Sequence, residues 1–139
     1  EMKGVPLRLE IGPRDIENGV VTVSRRDKAG EKFTVSIDNL ADSVAKLLDE
    51  VHESMYAAAL EFRNSHIKTV QTMEELGNAV QNQNFALSMW CGDRACEDKI
   101  KETYQASSRN MPFDQSPVGD KCVCCGKKAK HKIYWGRAY

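Results

Sequence analysis

The feature that most limits what this chain can become lies in its last third, where Cys91-Gly92-Asp93-Arg94-Ala95-Cys96 is answered after about twenty-five residues by Cys122-Val123-Cys124-Cys125-Gly126. A C-x4-C loop followed by a C-x2-C loop is the spacing of a four-thiolate zinc site. Zn2+ takes about four soft ligands in a tetrahedron, and two short cysteine loops each supply one edge of it. Gly92 and Gly126 suit the tight turns that such loops need. Cys124, inside the second loop, cannot easily ligate the same ion as both its neighbours and reads as a free thiol. His131 could replace a thiolate, but it lies six residues past Cys125 on a lysine-flanked stretch, where a surface histidine is the plainer reading. The competing readings are ordinary reduced cysteines or two disulfides of a secreted domain. Against disulfides stand the odd count, the lack of a hydrophobic signal segment and the confinement of cysteine to one region. The expectation is a reduced, cytoplasmic protein with structural Zn2+ on Cys91, Cys96, Cys122 and Cys125.

At 139 residues the chain can bury one domain-sized core, or one medium domain with a small metal-stapled appendage. The cysteine placement favours the second, with a boundary near residue 88: residues 1–88 as the first domain and 89–139 as the zinc domain. Twenty Lys+Arg against twenty Asp+Glu give no net charge, so strong overall attraction to nucleic acid is not indicated. No apolar run approaches the roughly eighteen residues needed to span a membrane, and no membrane association is expected. Locally the balance shifts, because everything after Asp120 carries Lys121, Lys127, Lys128, Lys130, Lys132 and Arg137 without one carboxylate. That tail is a basic patch or a solvated face. The chain opens on Glu1 rather than methionine, with a strand pattern starting within five residues, and is expected to be a piece of something longer.

Val5, Leu7, Leu9 and Ile11 alternate with Pro6, Arg8 and Glu10, the period of a half-buried strand. Gly12-Pro13-Arg14-Asp15 turns the chain and presents Arg14 and Asp15 at the strand's carboxyl end. Val20 to Val23 and Phe33 to Ile37 flank a charged tip and predict a β-hairpin; its Arg25, Arg26, Lys28 and Lys32 read first as solvated charge. Leu40, Val44, Leu47, Leu48, Val51, Met55, Ala58 and Phe62 then keep three-to-four spacing over about six turns. This predicts a long amphipathic helix across the sheet that supplies most of the core. Thr72-Met73-Glu74-Glu75 has capping-box form and opens a shorter helix ending near Asn82. Phe85 to Trp90 is a strand leading into the first cysteine loop, Glu97 to Gln105 a short helix, Ser107 to Phe113 a candidate strand and Ile133 to Trp135 another. Trp90 and Trp135 flank the cysteines and are expected to form the small core of a zinc module.

No phosphate-cradling glycine loop, His-Glu-x-x-His or G-x-S-x-G sequence is present, and none of the three histidines has a nucleophile-and-base arrangement. Glu97 follows Cys96, but a zinc deaminase needs a His-x-Glu signature and an open coordination position, and four thiolates close the site. The residues alone therefore describe an α/β fold, a mixed β-sheet with a long packing helix, joined to a small α+β zinc domain.

A resemblance adds to this. Lys3-Gly4-Val5-Pro6-Leu7-Arg8-Leu9-Glu10-Ile11-Gly12-Pro13-Arg14-Asp15, Ser24-Arg25-Arg26-Asp27, Trp90-Cys91-Gly92, Cys96-Glu97, Lys99-Ile100-Lys101, Pro112-Phe113, Cys122-x-x-Cys125-Gly126 and Ala138-Tyr139 resemble the carboxyl-terminal part of prolyl-tRNA synthetases. The form resembled is the archaeal and eukaryotic-like one, in which a zinc domain follows the anticodon-binding domain. The resemblance implies a homodimeric class II ligase that uses ATP and Mg2+ to activate proline and load it onto its tRNA. Its catalytic domain would lie upstream, leaving no catalytic residue in this chain. It also implies that the first strand and helix of the anticodon-binding domain are missing, so that a sheet edge is left open and the isolated piece self-associates.

For the site, the resemblance implies that Cys91, Cys96, Cys122 and Cys125 hold a structural zinc and that Glu10, Arg14, Asp15, Arg25 and Arg26 meet the anticodon. Proline anticodons share two consecutive guanines, whose O6 and N7 acceptors suit an arginine fork and whose donors suit a carboxylate. Tyr139, with its carboxylate, is implied to dock on the catalytic domain. The alternative is a free-standing zinc-stapled binding module derived from such an enzyme, with a partner other than tRNA.

Overall fold

The computed structural model describes residues 3–137 and divides the chain into two compact units, the first ending at Glu61 and the second beginning at Phe62. The first contains β1 (Leu7–Glu10), α1 (Pro13–Glu17), β2 (Val20–Arg25), β3 (Lys32–Ser36) and most of α2 (Leu40–Ser65). Its three strands form an antiparallel sheet in the order β1-β2-β3. Strict alternation decides which side chains go in: Val21, Val23 and Arg25 are buried while Val20, Thr22 and Ser24 are only half-buried. In register, Arg8 stands opposite Ser24 and Ser24 opposite Lys32. β1 is an edge strand, with Leu9 in it and Val5 and Ile11 beside it exposed.

Gly12-Pro13-Arg14-Asp15 does more than turn the chain. Pro13, with its φ already fixed, opens the five-residue α1, and the Gly12 N–H donates to the Asp15 carboxylate at 2.8 Å. Arg14 and Asp15 thus sit on a helical turn and not on the strand end.

The long helix is present, but its place in the core is smaller than its pattern suggests. Only Leu47 and Val51 are buried in it, packed with Leu7 and Val23 and flanked by Val35 and Val44. Beyond Val51 the stripe continues through Met55, Tyr56 and Phe62, all exposed. Length explains this. A helix of 26 residues is about 39 Å long, whereas strands of four to six residues offer about 13–20 Å of sheet.

A charged clamp adds to that short apolar contact. The Arg25 guanidinium is buried and donates from Nε and Nη2 to Asp27 at 3.0 and 2.8 Å, and from Nη1 to Glu50 of α2 at 2.5 Å. Hydrogen bonding from Arg25, against the opposing effect of burial and with help from Ser54, brings the Asp27 carboxyl down to about 2; Asp27 and Glu50 hold Arg25 firmly protonated.

The second unit carries β4 (Ile67–Thr69), α3 (Met73–Gln81), β5 (Phe85–Trp90), α4 (Arg94–Tyr104), β6 (Ala106–Ser108) and β7 (His131–Arg137). The sheet order is β4-β5-β7-β6, with β4 and β5 parallel and the other pairs antiparallel. A parallel pair needs a crossover, and α3 supplies it. Its start is fixed by the predicted box: the Glu75 N–H donates to the Thr72 hydroxyl, and the Thr72 N–H to the Glu75 carboxylate. The core gathers Leu76 and Val80 from α3, Ile100 from α4 and Ile133 and Trp135 from β7. Trp135 is fully buried, its indole N–H donating to Ser88 Oγ at 2.9 Å, with Trp90 edge-on at 6.1 Å. Helix α3 comes close to α4 because Gly77 has no side chain; a Cβ there would lie 2.2 Å from the Tyr104 ring.

Two expectations need correction. A boundary after residue 88 would cut β5, which pairs with both β4 and β7; the zinc loops are part of a larger unit that starts at residue 62. The strand expected over Ser107 to Phe113 stops at Ser108: beyond it Tyr134 accepts from the Arg109 N–H but donates to the Asn110 carbonyl, so two residues oppose one and the regular ladder ends, and Pro112, without a donor, cannot resume it. Phe113 is fully exposed. Tyr139 lies outside the described residues. Among those described, no helix is long and apolar enough to cross a membrane.

The clamp makes a pH-dependent prediction. Asp27 has its native value near 2, below the usual value of about 3.9, so its stabilisation is present above about pH 4 and disappears as pH falls toward 2. Asp27→Asn should lower the urea midpoint at pH 7 and leave the difference from wild type shrinking between pH 4 and 2. Parallel loss of stability by the two proteins over that range would dismiss the clamp.

Candidate metal centre and nucleic-acid interface

Strand β5 places the first cysteine loop. It ends at Trp90 and hands the chain to Cys91, Gly92 turns at φ +89°, and Asp93 caps α4 by accepting from the Ala95 N–H at 3.0 Å, which sets Cys96 in the first helical turn. The second loop hangs on the same strand: the Val123 N–H donates to the Met89 carbonyl at 2.9 Å and the Lys130 N–H to the Trp90 carbonyl at 2.8 Å. Within it, Cys122 donates to the Lys127 carbonyl, Gly126 at φ +70° donates back to the Cys122 carbonyl, and Lys121 bridges Lys128.

The sulfur atoms of Cys91, Cys96, Cys122 and Cys125 all lie within 4.8 Å of one another, with 3.6 Å from Cys91 to Cys96 and 3.8 Å from Cys91 to Cys125. A tetrahedron with Zn–S bonds of about 2.3 Å has edges of about 3.8 Å, so the four thiols fit this ion. All five cysteines are free. Cys96 and Cys122 are buried and Cys125 exposed; Cys124 packs half-buried against the core and is not one of the four.

Burial pushes the Cys96 thiol up, and its cysteine neighbours push it further; burial also raises Cys91. At Cys122 burial acts the same way, but backbone N–H groups of Cys125, Cys124 and Cys91 outweigh it and bring the thiol down to about 7. Metal uptake must expel the protons that burial holds on Cys91 and Cys96. His131 stacks at a tilt on Trp90 and borders Gly92.

In the first unit a groove of about 370 Å³ runs along the polar face of the sheet and the hairpin tip, lined by Pro6, Arg8, Ser24, Arg26, Gly30 and Lys32 among others. The row Arg8, Ser24, Lys32 crosses all three strands. Ser24 Oγ is buried with no hydrogen-bond partner among the described residues. Beside this row Glu10 accepts from Arg8 at 2.6 Å and Lys32 at 2.9 Å, and the Lys32 hydrogen bond leads in lowering its carboxyl. Such a groove can take a small planar group whose hydrogen-bonding edge meets the Arg8–Glu10–Lys32 network, with the orphaned hydroxyl as a directed partner.

The expected RNA-facing residues divide on this structure. Arg26 lines the groove and Glu10 borders it, while Arg14 is exposed on α1 and Asp15 is spent on its cap. Arg25 is corrected: its guanidinium turns inward to Asp27 and Glu50, so it orients the hairpin and has no free fork for a base. Arg8, Ser24 and Lys32 are additions. Their signal in the sequence is the polar half of the alternation; only strand register makes them a row.

Known sequences match in two segments. The family described as Prolyl-tRNA synthetase, C-terminal matches residues 73–139, and the family described as Anticodon binding domain matches residues 1–47. Over the whole chain, the proline--tRNA ligases of Clostridium botulinum (strain Loch Maree / Type A3) and Clostridium novyi are 53% and 51% identical, and proline--tRNA ligase 2 of Bacillus cereus is 47% identical. The chain spans 29% of the length of each of these relatives.

Replacing Cys96 by serine tests the metal centre. Zinc content should drop from about one ion per chain to a small fraction, and protease cuts should appear within residues 91–97 and 121–130 while the helical signal of α2 persists. Retained zinc with unchanged protease resistance would falsify the assignment.

Proposed function

The chain belongs to the prolyl-tRNA synthetase family, whose C-terminal region it matches, and from that premise we propose that it is the tRNA-reading, zinc-stapled end of a cytoplasmic ligase. That ligase would attach proline to its tRNA with ATP and Mg2+ in a catalytic domain outside this chain. The observation that carries the reading is the row Arg8, Ser24, Lys32 with its unpartnered buried hydroxyl, set within the residues matched as an anticodon-binding domain.

Anticodon bases are unstacked, so their edges are open to side chains and their faces to guanidinium planes. Guanine offers O6 and N7 to a cation and its ring and amino N–H groups to an oxygen acceptor. Arg8, Lys32 and Arg26 supply the first kind of partner; Glu10 and Ser24 supply the second. Arg14 contributes from α1 as a free cation, and Asp15 and Arg25 act by holding α1 and the hairpin in shape. Zn2+ on Cys91, Cys96, Cys122 and Cys125 would cross-link the two loops; with all four positions taken by thiolates it has no vacancy for substrate, so its part is structural. Tyr139 is assigned the docking role toward the catalytic domain that the family resemblance implies.

The test of base reading compares a proline anticodon stem-loop with a copy whose two guanines are replaced, at one fixed near-physiological salt. The chain should prefer the guanine loop, and Arg8→Ala with Lys32→Ala should weaken that preference by about tenfold or more, the scale of one to two lost base contacts. Equal binding of both loops by the wild type would sink the reading. The open edge of β1 and the exposed Val5, Leu9 and Ile11 lead us to expect that the isolated chain pairs with itself, as the whole enzyme would through its own dimer interface. Sedimentation at rising concentration should show mass growing beyond one chain, and a constant single-chain mass would overturn that expectation.

A further inference from the structure

The chain's zero net charge conceals a split between its units. Residues 1–61 hold eight Lys+Arg against twelve Asp+Glu, and residues 62–139 hold twelve against eight. The surplus of positive charge is concentrated on the second cysteine loop, where Lys121, Lys127, Lys128 and Lys130 are all exposed. Lys132, two residues on, is different: it is buried and its ammonium donates to Asp114 at 3.1 Å. Arg8, Arg25, Lys32 and Arg94 likewise have carboxylate partners, whereas among the described residues none of the four loop lysines takes part in an ion pair. Asp120 is the one carboxylate after Asp114.

The loop also places two of these lysines where charge alone disfavours them. Lys121 and Lys128 are direct antiparallel bridge partners, so their side chains leave the same face with Cβ atoms about 5 Å apart, an arrangement that destabilises like charges unless a counter-charge lies between them. The hydrogen bond from Cys122 to the Lys127 carbonyl and those from the loop to β5 fix this arrangement in the backbone. A bound Zn2+ with four thiolates would carry a net charge of about −2, which can offset part of it. That offset points inward, toward the sulfurs, while the lysine side chains are exposed to solvent.

We propose that the outer face of the second cysteine loop, with Lys121, Lys127, Lys128 and Lys130, is a docking surface for the phosphate backbone of RNA, separate in sequence and chemistry from the base-reading groove of the first unit. Lysine is depleted from protein–protein interfaces and is well suited as a point charge for phosphate. The loop offers no carboxylate between Lys121 and Lys130 to read base edges. Such a face adds affinity and orientation without sequence preference. The choice of RNA over other polyanions rests on the tRNA reading above.

The test uses the zinc-loaded full chain and an RNA duplex of about twelve base pairs with no anticodon loop, titrated between about 50 and 200 mM salt. Wild-type affinity should fall steeply with salt. Lys127→Gln combined with Lys128→Gln should make that fall about tenfold smaller over this range, the loss of roughly two phosphate contacts at a slope of about 0.9 each. Zinc content and preference for the guanine stem-loop should be unchanged. Lys121→Gln with Lys130→Gln, the remaining pair of the same face, should act in the same direction. An unchanged salt slope in both double variants overturns the proposal, as does a variant that loses zinc yet binds the duplex as wild type does, since the lysines then only balance the thiolates. If the guanine preference is absent but the lysine variants flatten the duplex slope, the phosphate surface stands and base reading falls.

Discussion

Strand β5 is the member on which the second unit depends. It lies between β4 and β7, delivers Cys91 at its end, and through the carbonyls of Met89 and Trp90 accepts the N–H groups of Val123 and Lys130. One strand therefore sets the position of both cysteine loops, and the thiols meet because two backbone segments are registered on the same few residues. A slip of one residue would turn Ser88 away from the Trp135 indole and move both loops relative to each other. A metal that draws the four sulfurs together would in turn lock this register, which couples coordination to sheet pairing in a way that four surface thiols could not.

The first unit rests on a smaller base. Four buried apolar side chains form its cluster, and Arg25 adds the connection from β2 to α2 through Glu50. A guanidinium buried between two carboxylates is costly to leave half-paired, so the clamp specifies where α2 lies more than it adds net stability. Its effect on the opposite face is indirect. By fixing the end of β2, it fixes the start of the hairpin tip that borders the groove, and so the side chains that line it.

Local chemistry was legible from the sequence; partners distant in the chain were not. The two short cysteine loops, the Thr72 capping box, the β2–β3 hairpin and the periodicity of α2 are each marked by a pattern of near neighbours in sequence, and each is found in the structure. Arg25 looked like its neighbour Arg26, because nothing nearby reveals that Glu50 lies across from it. The Arg8, Ser24, Lys32 row depends on register between strands, which alternation alone leaves open. The boundary was misplaced for the same reason: the pairing of β5 with β7 joins residues more than forty positions apart. In α2 the apolar period was real, but periodicity reports a face and not how much sheet exists to cover it.

Residues 52–65 form a stretch of fourteen with no buried side chain, about the length at which a helix in water is only marginal by itself. This half is not nucleated on its own account. It propagates from the turn that carries Leu47, Glu50 and Val51, where apolar contact and the Arg25 clamp have already met the entropy of starting a helix. The long helix is thus one hydrogen-bonded ladder with unequal tertiary support along it: its amino-terminal half is held by packing on the sheet, whereas its carboxyl-terminal half relies on its own backbone hydrogen bonds.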